Sequence, residues 1–232
     1  MVNTSSSIVH RPSSVPAAIF SDVEGTLVDA SLPRLSLQVG SKMGVFPRWK
    51  MAELAVYGLL SKVLPSKYQR RMRFYIIKRA MVGRTEAEVT RLCEALTPRV
   101  VAKLKQANWQ RVKQQRDEGM PLVLMSAGLH EAIARLGQEL GARGEGTHFI
   151  VRGGKYLAQF DGPICEGTGK RDRALSIARE LGCDPGMCYA YGDTATDIPF
   201  LEAFGHPYAV DPDAALEAEA KKRGWEILRS TS

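Results

Sequence analysis

Three short apolar runs along the chain end at a polar residue, and a fourth is weaker. "AAIFSD" (17–22) ends in Asp22, "PLVLMSAG" (121–128) carries Ser126 near its end, and "MCYAYGD" (187–193) ends in Asp193. "PYAVDPD" (207–213) is the weaker fourth. Unbroken apolar runs of this length suit strands covered on both faces of a parallel sheet. Between them the pattern turns helical. "PRVVAKLKQANWQRVKQQRDEG" (98–119) opens with Pro and closes with Gly, which predicts one helix. "HEAIARLGQELG" (130–141) and "KRDRALSIARELG" (170–182) also end at Gly, and "AALEAEAKKRG" (214–224) follows the last run. Strand alternating with helix predicts an α/β fold with a doubly wound parallel sheet. Sites in such sheets lie at the carboxyl ends of the strands, so Asp22, Ser126 and Asp193 are expected to converge.

Residues 31–95 break the alternation. This stretch has helical composition throughout, with a break expected at Pro65. A further helix opens at Gly83-Arg84-Thr85, where Thr85 and Glu88 have the spacing of a capping box. The expected organisation is a polar lead-in over 1–16, an α/β core over 17–30 and 96–232, and a small helical cap over 31–95 inserted after the first strand. "THFIVRGGKYLAQFDG" (147–162) predicts a hairpin turning at Gly153-Gly154.

Charge sharpens this picture. The chain carries +7 overall, yet Lys42 to Arg84 holds eleven Lys/Arg against the single acid Glu53, about +10. The rest is about −3, so the basic character is local. It points to an anion-facing surface on the cap, with an anionic membrane as one candidate partner, and away from a nucleic-acid-binding fold. Cys93, Cys165, Cys183 and Cys188 form no C-x-x-C pair or metal-ligand spacing, and read as buried thiols. The start lacks the basic-then-apolar order of a signal peptide, and no apolar stretch reaches about 18 residues. The expected setting is cytoplasmic, with peripheral membrane contact left open.

"DVEGT", "LMSAG", "GTGK" and "YGDTATD" occur in this order. Together they resemble the motifs of the haloacid dehalogenase superfamily. The placement of the insertion and the ending "KKRGWEIL" are similar to its phosphoserine-phosphatase-like branch. The resemblance implies a Rossmann-like core and a phosphatase acting on a small-molecule phosphate ester. Such chemistry needs a nucleophile in line with phosphorus while cationic and donor groups neutralise the phosphoryl oxygens. Asp22 at a strand end suits the nucleophile and can form an acyl-phosphate. Asp22 and Asp193 offer the hard oxygen ligands that Mg²⁺ takes; by resemblance the third ligand is the backbone carbonyl of Glu24. Asp197 would hold the metal's waters or orient Lys170. Ser126, the amide of Ala127, and Lys170 would bind the phosphoryl group. Thr26 and Thr196 are candidates for loop support.

Three positions depart from the family pattern. Glu24 stands where the family's second aspartate shuttles the proton. Glutamate keeps the carboxyl group and adds one methylene, and enolase-phosphatases of the same superfamily work with a D-x-E-G-T loop. Phosphoserine phosphatases place a glutamate nine residues after the nucleophile, where this chain has Ser31. Thr196 replaces a usual asparagine. The last two departures turn the expectation away from phosphoserine itself. A lipid-phosphate phosphatase at an anionic membrane surface, and a non-catalytic phospho-ligand-binding protein of the same fold, remain alternatives. Oligomeric state is left open.

Overall fold

In the computed structural model, which describes residues 16–63 and 66–230, the first apolar run forms β1 (Ile19–Asp22), buried along its whole length. Residues 1–15 of the expected lead-in and the expected break at Pro65 lie outside the described residues. The other runs form β2 (Leu122–Leu129), β6 (Tyr189–Gly192) and β7 (His206–Val210). Two strands carry no apolar run and were not expected: β3 (Arg143–Thr147) and β8 (Glu226–Leu228). The six make one sheet in the order β3-β2-β1-β6-β7-β8, parallel at every pairing. The chain leaves β1 toward β2 and β3, then returns to β1's other side at β6. That reversal opens a crevice at the carboxyl ends of β1 and β6.

Alternation along the strands splits the core in two. Ile19, Leu122 and Leu124 join Val112 of α5 (Gln106–Asp117) and Ile133 and Leu136 of α6 (His130–Leu140) in one cluster. Phe20, Val123 and Met125 join Ala174 and Ile177 of α7 (Thr168–Glu180), Phe200 of α8 (Ile198–Leu201) and Leu216 of α9 (Ala214–Arg223) in the other. All four cysteines are buried, as expected.

After β1 come α1 (Leu32–Lys42), α2 (Arg48–Val63), α3 (Ser66–Met81) and α4 (Glu86–Val101). The capping box forms: Thr85 Oγ1 accepts from the Glu88 amide at 3.2 Å, and the Glu88 carboxylate accepts from the Thr85 amide at 2.7 Å. β4 (Phe149–Arg152) and β5 (Lys155–Phe160) form the expected hairpin. It is tied to the turn between α3 and α4: the Gly83 amide donates to Tyr156 O at 2.8 Å and the Tyr156 amide to Arg84 O at 2.9 Å.

The single helix expected over 98–119 is corrected. α4 runs on through Pro98, the chain breaks at 102–105, and α5 starts afresh. A proline inside a helix costs ~3 kcal/mol, but Val89, Leu92, Cys93, Leu96 and Val100 bury one face of α4 in the core. The break exists because its backbone serves another segment. The Lys105 amide donates to Leu27 O at 2.8 Å, and Lys103 O accepts from the Asp29 amide at 2.9 Å. The apolar pattern of 98–119 carries no sign of that pairing.

β3 reads "RGEGT", and its glycines explain how it enters the sheet. A Cβ on Gly144 would sit 2.0 Å from Ile133 O, so α6 rests directly on this strand. Gly144→Ala is expected to lower the unfolding free energy by ~1–3 kcal/mol or more, read from urea denaturation. An unchanged midpoint would mean that helix and strand separate freely.

Candidate active site

Asp22 closes β1, and Asp193 follows the last residue of β6. Asp197 closes a short turn of 3-10 helix (Ala195–Asp197). Lys170 lies in the first turn of α7. The sheet brings these four together. Lys170 Nζ donates to Asp22 Oδ1 at 2.5 Å and to Asp197 Oδ1 at 2.6 Å. Carboxylate oxygens of Asp22, Asp193 and Asp197 lie within 4.8 Å of one another. Asp22, Lys170 and Asp197 are buried.

Three carboxylates and one ammonium leave an excess of negative charge in a low-dielectric site. Burial pushes Asp22 well above the usual carboxylate range, against the pull of Lys170, and Asp197 and Asp193 add to the rise. Burial and then Asp197 push Asp193 up to about 7. Burial alone would lower Lys170, but Asp197 and Asp22 outweigh it and hold it protonated. Oxygen ligands with surplus charge are what a hard divalent cation such as Mg²⁺ takes, so the residues fit the expected metal.

The loop after β1 is closed on itself. The Gly25 amide donates to Val28 O at 2.9 Å, and the Leu27 and Val28 amides both donate to Val23 O. Asn108, buried in α5, donates to Thr26 O at 3.1 Å. Lys105 donates to Gly25 O and, at 2.8 Å, to Asp211 Oδ2. Thr26 itself is buried and its hydroxyl donates to Asp193 Oδ1 at 3.4 Å, joining this loop to the β6 end. Gly25, at φ +81°, permits that approach: a Cβ there would meet Asp193 Oδ2 at 1.9 Å.

Glu24 is half-buried, and its Oε1 accepts from the Leu32 amide at 2.7 Å, at the start of α1. Burial pushes its carboxyl above the ordinary range, while the Leu32 amide and then Arg73 pull back. The extra methylene thus reaches the first turn of α1. Ser126 Oγ accepts from the Gly128 amide at 3.0 Å, and Ala127 O accepts from Thr147 Oγ1 at 2.9 Å. Thr196 sits at the rim with its hydroxyl 2.8 Å from that of Thr194.

These side chains line a cleft of about 420 Å³. It includes every site residue singled out from the sequence except Thr26, which lies beneath it. Among the wall residues that escaped sequence reasoning, two form an ion pair. Arg73 of α3 donates to Glu166, which is buried just ahead of α7. Arg73 was one of eleven basic residues with no local pattern to mark it. Glu166 had a weak signal, its position immediately before "GTGK". Asn108 and Lys105 were likewise hidden within an expected helix.

A sequence model of the haloacid dehalogenase-like hydrolase family matches residues 19–202. A probable phosphatase of Mycobacterium tuberculosis is 39% identical over 111 residues, covering 47% of this chain and 38% of that protein. The chain therefore aligns with less than half of that relative's length. A phosphoserine phosphatase of the same organism is 30% identical over 231 residues, covering 93% of this chain and 71% of that one. Among solved structures, a protein of unknown function from Bordetella pertussis Tohama I superposes with a TM-score of 0.75 at 19% identity, covering 93% and 99% of the two chains.

Magnesium is expected to raise the melting temperature of the native protein in differential scanning fluorimetry. Gly25→Ala, which drives Asp193 out of place, and Asp193→Asn are both expected to abolish that rise. A full magnesium shift in Asp193→Asn would show that Asp193 is not a ligand.

Proposed function

Because the chain belongs to the haloacid dehalogenase-like hydrolase family, we propose that it is a Mg²⁺-dependent phosphomonoesterase working through an aspartyl-phosphate on Asp22. One observation carries the reading: the buried cluster in which Lys170 bonds Asp22 and Asp197 beside Asp193. Burying such charges costs stability, and perturbed carboxylates gathered in a cleft are the mark of a functional site.

In the proposed reaction an Asp22 carboxylate oxygen attacks phosphorus. The Asp22 O–P bond forms as the ester P–O bond breaks. Glu24 gives its proton to the leaving oxygen, and burial, by raising its pKa above the ordinary carboxylate range, favours the protonated form that this step needs. Glu24, now ionised, takes a proton from the water that attacks the aspartyl-phosphate. Phosphate leaves and Asp22 is restored. Ser126, the Ala127 amide and Lys170 bind the phosphoryl oxygens and hold phosphorus in line. Asp197 fixes the direction of the Lys170 ammonium. Asp22, Asp193 and the Glu24 carbonyl would hold Mg²⁺, which neutralises charge on the transferring group.

The cap proposed over 31–95 supplies the walls that meet the ester's organic part. Ser31 lines the cleft and offers a hydroxyl where an ammonium would want a carboxylate, but Glu166, paired with Arg73, brings a carboxylate from another direction. A second reading, a phosphate ester with a substantial apolar part, is favoured by a neighbouring cavity of about 70 Å³ lined by Leu32, Ile76, Ile77, Met81, Leu96 and Leu129. It begins one residue beyond the cleft-lining Ser31.

Hydrolysis of an aryl phosphate in the presence of Mg²⁺ tests the reaction. Asp22→Asn is expected to abolish turnover, and Glu24→Gln to reduce kcat ~10²–10⁴-fold. Undiminished turnover in Asp22→Asn, or none in the native protein, overturns the proposal. Arg73→Ala is expected to raise KM more than it lowers kcat, which steady-state kinetics will separate.

A further inference from the structure

Helix α2 shows an apolar face to solvent. Two of its charged residues face inward: Lys50 is buried, and Glu53 is half-buried between Lys50, at 3.7 Å, and Arg79 of α3, at 2.5 Å. Every α2 side chain described as exposed is apolar: Trp49, Ala52, Ala55, Val56, Leu59, Leu60 and Val63. Trp49 is 65% exposed, Leu59 64% and Val63 80%. Their spacing follows the helical repeat, so they form one stripe along the helix. A water-facing helix carries the opposite pattern, and contiguous apolar patches of this kind mark interaction surfaces.

The surroundings of the stripe select the partner. The segment 42–84 carries about +10 in sequence, and Lys42 and Arg71 are exposed on the neighbouring helices α1 and α3. A second copy docking through the stripe would bring two such segments together, at a cost in like-charge repulsion. An anionic lipid surface satisfies both features: apolar side chains enter the acyl boundary while the basic flanks meet headgroups. With 16 residues α2 is ~24 Å long, too short to span and suited to lying in the interface. Among the described residues no helix is long and apolar enough to cross a membrane.

The stripe also stands in a defined relation to the cleft. α2 packs on α3. α3 sends Arg73 to the cleft wall and Ile76, Ile77 and Met81 to the apolar cavity beside it. We infer that the outer face of α2 docks the protein on anionic lipid bilayers, and that the cleft is thereby offered phosphate monoesters of amphiphiles held in that bilayer. The second clause rests on the phosphatase reading; the first does not.

Flotation of the full chain with vesicles of phosphatidylglycerol and phosphatidylcholine, against phosphatidylcholine alone, tests the docking. Binding to the anionic vesicles is expected to exceed binding to neutral ones at least tenfold and to fall with added salt. The double variant Leu59→Glu, Leu60→Glu is expected to lose that binding at least tenfold. Both side chains are exposed, so its circular dichroism and aryl phosphate turnover are expected to match the native protein. No flotation, equal flotation on both vesicle types, or full flotation of the variant overturns the docking. So does a concentration-dependent dimer that the variant dissociates without any vesicle binding. For delivery, hexadecyl phosphate in anionic vesicles is expected to be hydrolysed by the native protein and at least tenfold more slowly by the variant. Equal hydrolysis by both overturns delivery. Flotation without turnover of either ester overturns the phosphatase reading and the delivery that rests on it, while docking stands on the flotation result.

Discussion

Three carboxylates and one lysine packed against each other, all but Asp193 buried, set the terms for the rest of this molecule. Asp22, Asp193, Asp197 and Lys170 come from four separate places in the chain, and Lys170 bonds two of the acids directly. Removing such charges from water costs several kcal/mol per ion even after relaxation. The cluster forms because a large apolar core on both faces of the sheet holds the strand ends where they are. Its surplus negative charge is the strongest physical argument for a cation at this place.

Keeping the cluster together requires the backbone to come close. Gly25 leaves room for Asp193, and Thr26 then bonds it. From below, Asn108 and Lys105 hold the same loop by its carbonyls. From above, Glu24 ties it to the first amide of α1. The glutamate that departs from the family pattern is therefore also a link between the loop after β1 and α1. A shift of α1 would be felt by the proposed acid/base through that one bond. The tie is available to glutamate because its carboxyl stands one methylene further from the backbone.

Helices α2 and α3 face two ways. Toward the core α3 presents Arg73 and apolar side chains. Away from it, α2 shows a surface that water does not favour, while its Glu53 pairs inward with Lys50 and Arg79. The two faces are mechanically joined, since α2 rests on α3 and α3 rests on the β4–β5 hairpin, where Phe74 meets Phe160 edge to face.

The strands that carry chemistry were legible because their signals are local. Apolar runs ending in Asp22, Ser126 and Asp193 needed no knowledge of the partner strands, and the Thr85–Glu88 box depends on residues three apart. β3 was not legible, since "RGEGT" becomes a strand through close contact with α6 that small residues permit. The helix over 98–119 was misread because burial of α4 overrides Pro98, while distant backbone at 27–29 breaks the chain at 102–105. Sequence alone determined the residue types of the cluster, the parallel α/β core and the local excess of basic charge. Tertiary structure alone decided that Arg73 and Glu166 share the cleft, that Glu24 bonds the first amide of α1, and that α2 turns its apolar face outward. Each of these depends on contacts between residues far apart in the chain, and helical periodicity shows that a stripe exists without showing which way it points.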